Sequence, residues 1–282
     1  MWAVPAYFYA GGVAGAAAAL GARASRSPRL GRLAARCRAL AAGGTITGTA
    51  LLIHDLGRPE RFLNMLRVFR PSSPLNVGSW VLAGASGSAA AAAVTGGRGA
   101  LGRAAEQISG ALGLPLAGYT GVLLTSTAVP VWQEAGRALP VLFVASAVTG
   151  AASALELMDA HEPEQRVVHV FATTGRLAEL GAALWLEREA GRVERVGRPL
   201  KEGVSGALLR LAKTATIGAL AASFLGRRSR GARRLAGALG TIGAAATKFG
   251  VFYAGRPSTL DPRAVSDSQR GAASPRLDSD GG

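Results

Sequence analysis

Read for hydropathy alone, the chain alternates between long runs of Ala, Gly and aliphatic residues and shorter connections dense in arginine. The runs are about 18 to 22 residues long and nearly free of charge, the length a helix needs to cross the hydrocarbon core of a bilayer. Eight spans are predicted: Trp2–Leu20, Ala39–His54, Asn76–Val94, Ser109–Val129, Leu139–Met158, Val167–Leu186, Val204–Leu225 and Ala236–Ala254. In hydrocarbon each backbone polar group must be satisfied within its own segment, so these runs are expected to be helices. The first run lacks the basic start of a cleavable signal peptide and is expected to be retained.

Glycines punctuate the spans at helical spacings: Gly11 and Gly15, Gly118 and Gly121, and Gly237, Gly240 and Gly243. Where no hydrophobic drive exists between helices, small residues allow the backbones to approach closely, so packing is their expected role. After Tyr253 the sequence becomes polar and aperiodic, and disorder is expected from about Ala264. The predicted organisation is therefore a transmembrane domain over residues 1–255 followed by a polar tail over 256–282.

Composition changes this picture little. The mean hydropathy of +0.25 averages very apolar spans with basic connections. A net charge of +15 raises the possibility of nucleic acid. The arginines, however, flank spans: Arg23, Arg26, Arg29, Arg32, Arg36 and Arg38 in the first connection, and Arg227, Arg228, Arg230, Arg233 and Arg234 in the seventh. Positive flanks on membrane spans account for that placement better than a nucleic-acid stripe. Both connections are odd-numbered and free of acid, which puts them in the cytoplasm and both termini outside it. The sixth connection, with arginines and acids interleaved, fits this rule less cleanly. The single cysteine, Cys37, excludes an intrachain disulfide or a cysteine-held cluster.

Candidate chemistry is sparse. The three histidines, His54, His161 and His169, sit at span ends or in a loop, so a bis-histidine haem is not expected, nor is a metal site. The connection from His54 to Trp80 is the densest polar passage, and Asp55, Arg58, Glu60 and Arg61 within it are close enough to pair at the membrane boundary or simply to be solvated. Arg176 and Glu179 lie three apart in the sixth span, on one helix face, as a self-neutralising pair with a structural or a proton-handling role. Arg210, Lys213 and Lys248 are expected to snorkel, and Glu134 and Glu156 to be solvated. Tyr119, in GYTGVLL, has glycines on both sides that leave room. Its phenol is a donor inside an apolar wall, suited to a quinone or to a packed core. Trp2, Tyr7, Tyr9, Trp80 and Trp132 read as an interfacial belt.

Three passages carry a family resemblance: DLGRPERFLNMLRVFRPSSPLNVGSW at Asp55–Trp80, GYTGVLLTSTAVPVW at Gly118–Trp132 and KFGVFYAGRPSTLDPRAV at Lys248–Val265. Together they resemble the NrfD/polysulfide-reductase membrane-subunit family. The resemblance implies an all-α integral protein of the bacterial inner membrane, with eight helices in two four-helix bundles and no redox cofactor of its own. It also implies electron exchange between a quinone, menaquinone or ubiquinone, and a ferredoxin-like iron–sulfur partner linked to a molybdopterin catalytic subunit. By position, Tyr119 looks like the family's quinone-facing tyrosine and Asp55 like its proton-handling acid, with Glu179 and Arg176 as further proton-handling candidates. The family's histidine on the first span has no counterpart, and Tyr7 or Tyr9 is the substitute available. Partner docking falls to Arg58, Arg61, Arg67 and Arg70. The competing readings are an inert membrane anchor and a proton- or ion-coupled transporter. A transporter should show broken helices at matching positions in its two halves, and the sequence has none.

Overall fold

The computed structural model describes residues 2–158, 161–191, 194–225 and 229–260, and each of the eight predicted runs falls on a long helix. These are α1 (Ala3–Ala24), α2 (Gly31–Leu56), α4 (Pro74–Thr95), α5 (Gly99–Thr125), α7 (Ala138–Glu156), α8 (Glu162–Ala190), α10 (Gly203–Leu225) and α11 (Arg230–Leu260). Three short helices lie in connections: α3 (Pro59–Met65), α6 (Pro130–Glu134) and α9 (Glu194–Lys201). The final helix continues past residue 255 to Leu260, so the predicted domain edge falls inside it. The segment expected to be disordered lies outside the described residues.

Six helices among the described residues are long and apolar enough to cross a membrane: α1, α4, α5, α7, α10 and the Arg230–Gly255 part of α11. The chain is a multi-pass membrane protein. Although α2 and α8 are longer still, at 26 and 29 residues, they fall short on composition. The first carries Thr45, Thr47 and Thr49, and the second carries Arg176 and Glu179.

Helix ends follow local rules. Ser73, extended and preceding Pro74, accepts the Asn76 N–H with its hydroxyl and so caps α4. Gly57, at φ 71°, ends α2 in the left-handed conformation that side chains with a Cβ resist.

Packing divides the long helices. α1 lies along α2 and α5, and α4 along α5 and α2; α7 lies along α8 and α11, and α10 along α11. Several of the predicted small residues, Gly15, Gly237 and Gly243 among them, are crossing points, and Gly44 and Gly113 add others. A Cβ on Gly15 would run into the Gly113 carbonyl and the reverse substitution into the Gly15 carbonyl, so α1 and α5 touch backbone to backbone. Gly44 brings α2 to Ala14, and Gly237 and Gly243 bring α11 to Ser153 of α7 and Thr216 of α10. α1 and α5 also touch α7. An aromatic seam joins the groups there, with Phe8 5.8 Å from Phe143 and 6.1 Å from Phe252 between ring centres. Trp132 belongs to this seam rather than to an interfacial belt: it is buried, stacks on Phe252 and donates its indole N–H to the Val251 carbonyl at 3.0 Å.

The two ends of the molecule differ. At one, Arg26 reaches Gln107 at 2.8 Å and Arg32 reaches His161 at 2.8 Å, which ties this end of α1 and α2 to α5 and to the start of α8. The other carries the 57–73 and 126–137 connections, since each long helix reverses the direction of the one before.

Candidate functional site

A cavity of about 190 Å³ opens between α1, α2, α4 and α5 near the 57–73 connection. Its wall is aliphatic, with Val4, Leu51, Leu82 and Leu123, and its polar groups are few: the phenols of Tyr7 and Tyr119, the Ser79 hydroxyl and, at the exposed mouth, the Asp55 carboxylate. Three of the residues singled out in the sequence, Tyr7, Tyr119 and Asp55, therefore meet in one place.

Tyr119 has its space for a reason other than the one its neighbours in sequence suggested. Gly118 and Gly121 press α5 against Val144 and Pro140 of α7 and leave no room beside the phenol. The room comes from Gly78 of α4, where a Cβ would overlap the Tyr119 ring. Tyr7 makes no such demand: a Cβ on Gly48 would lie 3.5 Å and one on Gly11 3.7 Å from its ring, ordinary contact distances. At 4% exposure it is a core residue, and the interfacial-belt reading does not hold for it. A glycine of another helix shaping the seat of Tyr119 is a signal that spacing along α5 alone does not carry.

Tyr9 points away from the cavity. It faces α7, 3.3 Å from where a Gly150 Cβ would stand, and has Thr241 and Glu179 among its polar neighbours.

Above the cavity mouth, one side chain organises the connection. Asn76 accepts the Arg70 N–H at 2.7 Å and donates its amide to the Met65 and Val68 carbonyls at 2.6 and 2.9 Å. Phe69 packs edge-on to Trp80, and Met65 comes within 3.5 Å of the Ser79 hydroxyl. Arg58, Arg61, Arg67 and Arg70 are all exposed. Among the described residues none of them forms an ion pair with Asp55 or Glu60; Arg61 instead donates to the Leu56 carbonyl at 3.0 Å, which satisfies a helix-end acceptor.

Charge lies inside the other helix group. Arg176 and Glu179 do not pair with each other. Arg176, with 0% exposure, is paired with Glu156 of α7 and also donates to Ser223 at 2.6 Å, Ser153 at 3.3 Å and the Ala236 carbonyl at 3.1 Å. The guanidinium therefore ties four helices together, and Glu156 is a buried partner rather than a solvated helix-end acid. Gly240 makes the approach possible, since a Cβ there would stand 3.1 Å from the Arg176 guanidinium.

Glu179 accepts the Thr247 hydroxyl at 2.7 Å, with Lys248 the cation acting on it. Lys248 does not snorkel. Fully buried, it donates to the Phe143 carbonyl at 2.9 Å and sits 3.7 Å above the Phe143 ring centre. Lys213 pairs with Glu187 at 2.6 Å. Both lysines lie well inside their helices, and only the helix facing separates the part-exposed Lys213 from the buried Lys248. The histidines lie apart: His54 beside Trp2, His161 on Arg32 and His169 against Phe224.

Neither the curated proteins nor the solved structures compared hold a match to the chain. A family model, described as polysulphide reductase, NrfD, matches residues 1–196, which covers the cavity and most of the buried charges but stops before α10 and α11. With well over half of its length matched, and with its multi-pass helical fold, the chain belongs to the NrfD family.

Proposed function

We propose that this protein is the quinone-interacting membrane subunit of a respiratory oxidoreductase complex. It exchanges electrons between the quinone pool and an iron–sulfur partner linked to a molybdopterin enzyme, with no redox cofactor of its own. The observation that carries the reading is the meeting of Tyr7, Tyr119 and Asp55 at one largely aliphatic cavity. A quinone is an apolar ring with two carbonyl acceptors. The cavity's wall and its two phenol donors suit that ligand better than a charged one.

In this reading the Tyr7 and Tyr119 hydroxyls orient the quinone carbonyls. Asp55, at the exposed mouth, passes protons between the cavity and water, because reduction of a quinone consumes two electrons and two protons. The electrons come from the partner's cluster, docked on Arg58, Arg61, Arg67 and Arg70 at the same end. We place this end and both termini outside the cytoplasm of a bacterial inner membrane, by the arginine bias of the opposite end. We read α2 and α8 as spans too, their polar positions turned to neighbouring helices, which makes eight spans in two four-helix bundles.

Glu179 and Arg176 are proposed as a second proton-handling group, remote from the cavity. The part of Arg176 is to anchor Glu156 across the helices. Glu179, with a hydroxyl on one oxygen and Lys248 beside it, is the member able to change charge.

Turnover with a soluble quinone, measured on the complex purified with its partners, tests the site. Tyr119→Phe removes one donor and is expected to lower turnover about tenfold, the effect of losing roughly 1.4 kcal/mol of hydrogen bonding. Asp55→Asn should slow it at least as much by interrupting proton supply. Wild-type turnover and quinone affinity in both variants would sink the assignment and favour an inert anchor.

A further inference from the structure

The arginines at the 25–30 end of α1, α2 and α5 are unevenly partnered. Among the described residues two carboxylates pair with arginines in this corner, and both are buried: Glu106 with Arg38 at 2.9 Å, and Glu164 with Arg36 at 3.3 Å and with the Leu33 N–H at 2.8 Å. Six further arginines, Arg23, Arg26, Arg29, Arg32, Arg98 and Arg103, are exposed around them. Arg26 and Arg32 reach Gln107 and His161 rather than a carboxylate. Arg23, Arg29, Arg98 and Arg103 form no ion pair among the described residues.

This surplus stands at the ends of membrane helices, beside exposed apolar side chains. Val94 is 88% and Leu101 72% exposed at the adjoining ends of α4 and α5, and Ile108 follows two turns along α5 at 52%. Guanidinium groups at the rim with bare aliphatic positions just beneath them match a molecule that carries an anionic phosphate head above hydrocarbon chains. A soluble anion would use the first feature and leave the second unexplained. The opposite end differs, because Asp55 and Glu60 are interspersed with its arginines.

We propose that this corner of α1, α2 and α5 is a binding surface for anionic phospholipid, which supplies counter-charge to arginines that form no ion pair among the described residues. The phosphate is held by the exposed arginines and the acyl chains lie along α4 and α5. The inference is independent of the quinone reading and applies equally to an inert anchor.

The test is native mass spectrometry of the full chain, extracted in mild detergent from vesicles of equal phosphatidylglycerol and phosphatidylcholine content. Wild type is expected to retain phosphatidylglycerol over phosphatidylcholine by about fivefold or more, the effect of one arginine near an anionic surface being roughly that size. The triple variant R23Q/R29Q/R103Q should lose most of that preference. R58Q/R67Q/R70Q, with the same loss of charge at the other end, should keep it. Single variants R29Q and R103Q give the same reading if the triple does not elute as one species. Equal retention of the two lipids by wild type, equal loss in both triples, or displacement of the lipid by inorganic phosphate alone would overturn the proposal.

Discussion

The helix group of α1, α2, α4 and α5 and the group of α7, α8, α10 and α11 share a length scale and a reliance on glycine, yet place their polar groups in opposite ways. The first keeps its charges at the two ends and holds uncharged hydroxyls and phenols within, around a space. The second buries Arg176, Glu156, Glu179 and Lys248 among its helices, and a space of about 220 Å³ opens beside Glu156 and Ser223. A charge within hydrocarbon is costly unless paired and hydrogen-bonded, which is what Glu156, Ser153, Ser223 and the Ala236 carbonyl supply to Arg176. The same helical frame thus carries a phenol-lined space without buried charge in one group and an internal ionic network in the other.

That contrast can be broken from either side. The largest effect is expected in the charged group: Glu156→Gln leaves the Arg176 guanidinium buried without its counter-charge and should cost about 3–5 kcal/mol of stability in detergent. Replacing both partners with apolar side chains should recover much of that loss. An unchanged thermal midpoint for the single variant would mean that the pair is not the group's internal brace.

Next in size is the α1–α5 crossing. Gly15→Val forces a branched side chain into the Gly113 backbone, and a loss of about 1–3 kcal/mol is expected from the separated helices. The same melting curve measures it.

Smallest in stability but telling for function is Gly78→Ala. The added methyl occupies the place of the Tyr119 ring, which must shift. We expect the quinone KM to rise about tenfold, near 1.4 kcal/mol, while the thermal midpoint moves less than in Gly15→Val. A midpoint that collapses with an unchanged KM would instead make Gly78 a packing residue and detach Tyr119 from the ligand.

Much of the frame could be read from the chain itself. Span length and composition located eight long helices, and several of the glycines named as packing positions are crossing points. What escaped was facing. Gly118 and Gly121 looked like space for Tyr119 because they flank it in sequence, whereas residues adjacent in a helix point in different directions and those two serve α7. Arg176 and Glu179, three apart, satisfied the spacing rule for a pair, but each had a better partner on another helix. Lys248 and Glu156 were read by their distance from a span end, although burial depends on what the neighbouring helices cover. Tyr7 and Tyr9 show the same limit in reverse: two residues apart on α1, one lines the cavity and the other turns to α7.

The three bonds made by Asn76 bear on how an assembly forms. By closing the stretch from Met65 to Arg70 onto the first turn of α4, one amide turns what would be a floppy strap into a shaped surface before any other protein arrives. On the docking role proposed for the arginines of this stretch, a partner would meet a backbone already shaped around Arg70 and have less chain to immobilise, and that ordering cost is among the main penalties of association. Exchanging Asn76 is then expected to weaken assembly and, because it also holds the Met65 carbonyl, to disturb one wall of the cavity.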